Sequence, residues 1–144
     1  MVGFLAAGGA GAERREALQE RARQIFGVVP AEAVNPANPV TEAKVELGRL
    51  LYFDPRLSKS QQISCNTCHK LDAFGVDNEA TSAGHRGQRG ARNSPSVYNA
   101  AFHIAQFWDG RAADVEEQAK RPVLNPVEMA MSDPDQVLTM LRSI

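Results

Sequence analysis

Cys65-Asn66-Thr67-Cys68-His69 sets two thiols three positions apart, with an imidazole directly behind the second. This is the attachment pattern of a c-type haem. Each thiol adds to one vinyl group of the porphyrin, and the two residues between them let a single turn of chain present both sulfurs to one edge of the ring. The histidine that follows then lies beneath the iron as its proximal ligand. Other chemistries suit the pentapeptide less well. A structural zinc needs two further ligands at matching spacing, and the chain has only two cysteines. A thioredoxin-like redox pair needs a preceding strand in a βαβ setting, whereas Ser58-Lys59-Ser60-Gln61-Gln62-Ile63-Ser64 is polar and loop-like. With both thiols bound to haem, no disulfide is expected.

The side chain on the other face of the iron decides what such a haem does. His85, His103, Met129, Met131 and Met140 are the candidates. A His/Met pair raises the reduction potential and suits an electron carrier, a His/His pair lowers it, and a ligand that can leave opens the iron to peroxide or oxygen. Met129 and Met131 lie at a distance along the chain that suits a cytochrome c ligand, although a lone methionine is more often a core filler. His85 sits in the glycine-rich stretch Ala83-Gly84-His85-Arg86-Gly87, where a histidine is ordinarily solvated unless a haem lies beside it. His103 precedes Ile104-Ala105 in an apolar run and reads as a packed histidine.

The elements that must hold these groups read as helices. Glu13 to Phe26 carries apolar residues at Ala17, Leu18, Ala22, Ile25 and Phe26, a helical spacing closed by Gly27. A linker with Pro30, Pro36 and Pro39 follows. Thr41 is placed to cap a second helix to about Phe53, with Val45, Leu47, Leu50 and Leu51 on its apolar face and Asp54-Pro55 as its stop. Leu71 to Ser94 is rich in Gly, Asn, Ser and Arg, a long loop of the kind that usually has a function. Pro95 to Phe102 is expected to form a short helix, Ala112 to Lys120 a better one, and Asp133-Pro134 to start a last one. That last helix is still apolar at Leu138, Leu141 and Ile144, which predicts a chain that continues further. No segment alternates as a strand does. The expected fold is all-α, a cytochrome c-like helical domain wrapped around one covalent haem with long irregular loops.

The chain of 144 residues suits one haem domain over residues 13–144, with an apolar tail over 1–12. A net charge of −1 carries no nucleic-acid footprint, and no stretch has the length of a membrane span. Val2 to Gly11 is small and apolar, and Ala10-Gly11-Ala12 resembles a signal-peptidase site, but the first basic side chain is Arg14 and a positive leading region is missing. Export to the periplasm is therefore expected from the haem motif rather than from this leader remnant.

From Leu47 to Ile144 the sequence resembles the N-terminal haem domain of the bacterial di-haem cytochrome c peroxidases. The likeness is carried by Leu47-Gly48-Arg49-Leu50-Leu51-Tyr52-Phe53-Asp54 and by the haem site from Ser64 to His69. It continues in Arg92-Asn93-Ser94-Pro95-Ser96-Val97-Tyr98-Asn99 and Phe107-Trp108-Asp109-Gly110-Arg111-Ala112. Glu116-Glu117-Gln118-Ala119 and Asn125-Pro126-Val127-Glu128-Met129 complete it, in the family's order.

The resemblance implies that His69 is the proximal ligand of the low-potential, peroxidatic haem. It makes His85 the distal ligand, which leaves the iron on reductive activation and frees a site for hydrogen peroxide. Gln118 and Glu128 match the pair that handles peroxide, Gln118 by orienting it and Glu128 as acid–base. Without the family, Glu128 reads as a surface carboxylate and Gln118 as an ordinary helix position. Trp108 matches a tryptophan on the electron path between two haems, and would otherwise be assigned to the core. Asn93 matches one ligand of an interdomain calcium, the other ligands coming from elsewhere.

Family enzymes are longer and carry a second Cys-x-x-Cys-His in a C-terminal domain, so the chain is expected to be the N-terminal half. The function expected is reduction of hydrogen peroxide to water with electrons from a small c-type cytochrome or cupredoxin, passed through the second haem domain, with a homodimer as a candidate assembly. A plain single-haem electron-transfer cytochrome is the alternative. A third reading, oxidation of a tryptophan on a partner protein, goes in relatives with a tyrosine ligand on the other haem.

Overall fold

Local signals near the helix ends account for most of the architecture. The computed structural model describes residues 9–143. The leader reading over Val2 to Gly11 falls largely outside the described residues. The chain divides into two compact units, the first running to Ala33 and the second starting at Val34.

The first unit contains α1 (Gly9–Phe26), which starts four residues before the spacing of apolar side chains predicted. It ends where expected, because Gly27 takes a left-handed φ of 70° at no steric cost and its N–H closes on the Arg23 carbonyl at 2.9 Å.

The second unit opens with α2 (Glu42–Phe53), capped by Thr41, whose hydroxyl accepts the Lys44 N–H. Asp54 and Pro55 stop it, and Pro55 to Leu57 make one 3₁₀ turn. Next comes α3 (Cys65–Cys68), a single turn that carries both cysteines. Two further helices follow a long irregular stretch: α4 (Val115–Leu124) and α5 (Pro134–Arg142). Asp114 caps α4 by accepting the Glu117 N–H at 2.8 Å, and Asp133 caps α5 by accepting the Gln136 N–H at 2.8 Å. Among the described residues there is no strand, only isolated bridges between Ala83 and Arg89 and between Gln106 and Ala112. The fold is all-α and cytochrome c-like, as the sequence predicted. None of the described helices is long and apolar enough to cross a membrane.

The expected helix over Pro95 to Phe102 is reduced to one 3₁₀ turn at Ala100–Phe102. Asn99 takes a left-handed φ of 56°, which interrupts a helix before Ala100, and the serine hydroxyls of this run bond to main chain elsewhere. α4 also extends past its predicted end at Lys120, through Pro122 to Leu124.

The core of the second unit is small. Leu57, Ile63 and Met129 are buried together, with Leu51, Val123, Val137 and Leu141 packed on them. It therefore joins α2, α4, α5, the segment that precedes α3 and the one between α4 and α5. Burying an aliphatic side chain of this size stabilises a fold by roughly 1.5–3 kcal/mol.

Candidate haem site

The cysteine turn is built by its own polar residues. The Ser64 N–H donates to Thr67 Oγ1 at 3.0 Å, which starts α3, and the His69 N–H closes it on the Cys65 carbonyl at 3.0 Å. Asn66 Oδ1 accepts the Leu71 N–H at 3.2 Å and turns the chain away. Cys65 and Cys68 thus stand at the two ends of one helical turn, half-buried and unpaired. Burial raises both thiol pKa values. Among the described residues no strand precedes the turn, which counts against the thioredoxin-like reading.

His69 leaves the turn with its ring fixed. Nδ1 lies 3.0 Å from the Pro95 carbonyl and 3.3 Å from that of Gly75. Both partners are acceptors only, so Nδ1 carries the proton and Nε2 keeps its lone pair for a metal. A ligating histidine that donates its second nitrogen to a carbonyl is the usual arrangement at a metal.

His85 lies in a second segment pressed against the start of the Glu128 region. Its backbone N–H donates to the carbonyls of Val127 and Glu128, both at 2.8 Å. The approach depends on Gly84, since a Cβ there would sit 2.0 Å from the Val127 carbonyl oxygen. Arg86 and Gly87 follow at positive φ, 56° and 73°, and swing the chain back so that Gly84 N–H meets the Gln88 carbonyl at 2.7 Å. The His85 ring is half-buried, and its Nδ1 is buried with no hydrogen-bond partner. Buried polar groups are rarely left unpaired, so this ring nitrogen suits a ligand.

Glu128 is half-buried rather than the surface carboxylate its local sequence suggested. Burial pushes its pKa up, against the opposing pull of Arg111, His69 and the Asn125 amide, which donates to Oε1 at 2.8 Å. A carboxyl held this way takes up and releases protons closer to neutral pH than an exposed one. It also acts on the Cys68 thiol, so it lies beside the cysteine turn. Arg111 stands 3.5 Å over the Phe107 ring and pairs with Asp109 at 2.8 Å. Gln118 is half-buried on α4, two turns before the helix ends.

Trp108 is 60% exposed, and its Nε1 donates to the Asn93 carbonyl at 2.9 Å. It is therefore no core residue of the second unit. With Asn93, Tyr98, His103 and Phe107 it lines a cleft of about 410 Å³. His103 is exposed there, which corrects its reading as a packed histidine. Asn93 is exposed as well, and the described residues contain no cluster of three acidic, histidine or cysteine side chains able to hold a metal ion. Met129 and Met131 are each 4% exposed, and Met129 belongs to the apolar core with Leu57 and Ile63.

The structure thus groups His69, Cys68, Glu128 and His85 around one region, and groups Trp108 with Asn93 in another. The sequence reading assigned no role to Tyr52, Gly84, Ser94, Pro95 or Arg111. Of these, Ser94-x-Ser96-x-Tyr98 left a trace, a run of hydroxyls at alternate positions.

Two thiols on one turn, a histidine with a free Nε2 and a second histidine with an orphaned ring nitrogen form a donor set that fits a covalent c-type haem. The profile of the family described as di-haem cytochrome c peroxidase matches residues 42–144. The cytochrome c551 peroxidase of Pseudomonas aeruginosa is 50% identical over 130 residues, which is 90% of this chain and 37% of that protein. The cytochrome c551 peroxidase of Nitrosomonas europaea is 53% identical over 103 residues, covering 72% of this chain and 30% of the relative. A solved MauG-like protein associated with microbial copper homeostasis superposes with a TM-score of 0.69 at 31% identity, over 81% of this chain and 35% of that one. The chain belongs to the di-haem cytochrome c peroxidase family. It spans about a third of the length of the curated relatives it matches.

Proposed function

We propose that this chain is the peroxide-reducing haem domain of a cytochrome c peroxidase, which converts hydrogen peroxide to water with two electrons and two protons. The observation that carries the reading is the seating of His85. Its ring nitrogen is buried and unpartnered, while its backbone is fastened to the carbonyls of Val127 and Glu128. Moving this one segment withdraws a ligand and uncovers a carboxyl in the same step.

Cys65 and Cys68 would hold the haem through thioether bonds, with His69 Nε2 as the proximal ligand and His85 as the distal one. Held there, the haem would supply the redox chemistry that peroxide reduction needs, and His85 would be the ligand that yields its place to peroxide. Glu128 takes the proton from the nearer peroxide oxygen through a carboxylate oxygen and returns it to the departing one, which leaves as water. Its raised pKa suits both halves of that transfer. The Gln118 amide donates a hydrogen bond that orients the peroxide. Asn125, bonded to Glu128 Oε1, fixes which carboxylate oxygen is free.

Trp108 carries electrons from a second haem domain, which takes them from a small c-type cytochrome or cupredoxin. Asn93 gives one oxygen to a calcium shared with that domain. Residues 13–144 form the haem domain, following an apolar tail over 1–12, and the whole enzyme works in the periplasm as a homodimer. Plain electron carriage, through Met129 or Met131 as ligand or through a bis-histidine iron that stays closed, is the weaker reading, and Met129 packs in the core with Leu57 and Ile63.

The test is an absorption spectrum of the haem-loaded chain and of His85→Ala, with and without peroxide. A low-spin bis-histidine spectrum that becomes high-spin and peroxide-reactive in the variant supports the reading. An unchanged low-spin spectrum in His85→Ala overturns it.

A further inference from the structure

Four side-chain hydroxyls donate into one short stretch of main chain at and just beyond Cys68. Ser94 Oγ donates to the Cys68 carbonyl at 2.8 Å, the nearer of two acceptors, with Asp77 Oδ1 at 3.2 Å, and Ser96 Oγ donates to the Phe74 carbonyl at 2.7 Å. The Tyr52 phenol donates to the His69 carbonyl, and the Tyr98 phenol to the Leu71 carbonyl. Three of these donors come from Ser94-x-Ser96-x-Tyr98, a non-helical run whose alternate side chains face the same stretch, as alternation in an extended chain allows. The fourth comes from α2. Val97 adds a main-chain bond to the Gly75 carbonyl at 3.3 Å.

Pro95, between the two serines, supplies the carbonyl that accepts His69 Nδ1–H. His69 is therefore held at both ends by the same pair of surfaces. Its ring is held by Pro95 and, at the longer distance of 3.3 Å, by Gly75, its own carbonyl by Tyr52 and the carbonyl before it by Ser94. Loosening either hydroxyl bond removes one restraint on the peptide from which the ring projects, leaving the His69 N–H bond to the Cys65 carbonyl.

We propose that Tyr52 and Ser94 are positioning residues for His69, which keep its Nδ1–H on the Pro95 carbonyl and so set the reduction potential of an iron bound at Nε2. The proposal rests on the reading of His69 as haem ligand. Both hydroxyls bond to main-chain carbonyls rather than to the His69 ring itself. An imidazole that donates its second N–H to a carbonyl is a stronger electron donor to its metal. A stronger donor favours the oxidised iron, so a weakened Pro95 bond raises the potential.

The competing account is that these are ordinary bonds of two polar side chains that need partners. That account predicts lost stability with no change in potential. The experiment loads the chain with haem as wild type, Tyr52→Phe, Ser94→Ala, Ser94→Thr and His69→Ala. Each is checked for covalent haem by mass, then for midpoint potential by spectroelectrochemistry and for melting temperature. Tyr52→Phe and Ser94→Ala are expected to keep the haem and shift the potential upwards, with Ser94→Thr returning it towards wild type.

A potential that stays put or falls in both variants overturns the proposal, whatever the melting temperature does. A His69→Ala spectrum identical to wild type removes the ligand reading itself, an outcome distinct from a failed shift with His69 ligated.

Discussion

The His85 backbone N–H donates to the Glu128 carbonyl at 2.8 Å, which ties the segment bearing a candidate iron ligand to the residue bearing the candidate acid–base. The bond is shared with the Val127 carbonyl, also at 2.8 Å. A donor divided between two acceptors is weaker towards each than a single linear bond. The Gln88 amide adds only a 3.5 Å contact to the Pro126 carbonyl. The contact is specific but held by few bonds, and that is what a segment that must let go requires.

Gly84 is where that contact is most exposed to a single substitution. Gly84→Ala places a methyl 2.0 Å from the Val127 oxygen, so one backbone must retreat. Overpacking of this kind costs about 1–3 kcal/mol. The expected outcome is a lower melting temperature and, with the His85 segment retreating because few bonds hold it, a haem spectrum shifted towards that of His85→Ala. A melting curve and an absorption spectrum of the one variant check both parts. A wild-type spectrum would mean that the 127–128 side moves instead.

Glu128 predicts a pH dependence with a definite sign. Its folded-state pKa is raised, chiefly by burial, so the protonated form is the one the fold prefers. The stability this gives is fully present below the pKa of an unfolded glutamate, and is lost as pH rises through the higher folded value. Glu128→Gln has no such loss. The variant is therefore expected to be more stable than wild type at neutral pH, with the difference closing in acid. Peroxide turnover should fall about 10²–10⁴-fold, the usual contribution of general acid–base catalysis. Parallel melts of both proteins across the acid range check the first part, and steady-state assays check the second.

The helix caps were legible because they are local. Thr41 and Asp133 each sit directly before a stretch with helical apolar spacing, and each accepts the N–H three residues on. The all-α fold and the cysteine turn were legible for the same reason. The run from Ser94 to Tyr98 was not, because its hydroxyls bond to carbonyls more than twenty residues away in sequence. His103 was misread because an apolar neighbour says nothing about burial, and Ile104 beside it is fully exposed. Glu128 owes its environment to Arg111, His69 and Asn125, which come from three parts of the chain. Pairing of that sort leaves no periodic trace.

Asp114 tests whether α4 positions Gln118. The carboxylate accepts the Glu117 N–H, one residue before Gln118, whose own N–H bonds to the Asp114 carbonyl at 3.0 Å. Asp114→Ala keeps the carbonyl bond and removes the cap, at a cost of about 0.5–2 kcal/mol. The first turn of α4 should fray and turnover should drop, while Asp114→Ser should recover most of both. Circular dichroism alongside the peroxidase assay separates a frayed helix from a lost hydrogen bond to substrate.

Met129 separates a core residue from an iron ligand. It is 4% exposed and packed with Leu57 and Ile63, and its N–H and carbonyl are both engaged, with Pro122 and Lys59. Met129→Ala should cost about 2–5 kcal/mol through the cavity it leaves. Met129→Leu keeps the volume and should cost less than about 1.5 kcal/mol. Leucine cannot ligate iron, so the two readings diverge sharply on this variant. A core methionine leaves the haem spectrum and midpoint potential of Met129→Leu unchanged. A ligating methionine would give a new spectrum and a lower potential, because a His/Met pair holds the potential high. The conservative substitution, which barely perturbs stability, is therefore the more informative of the two.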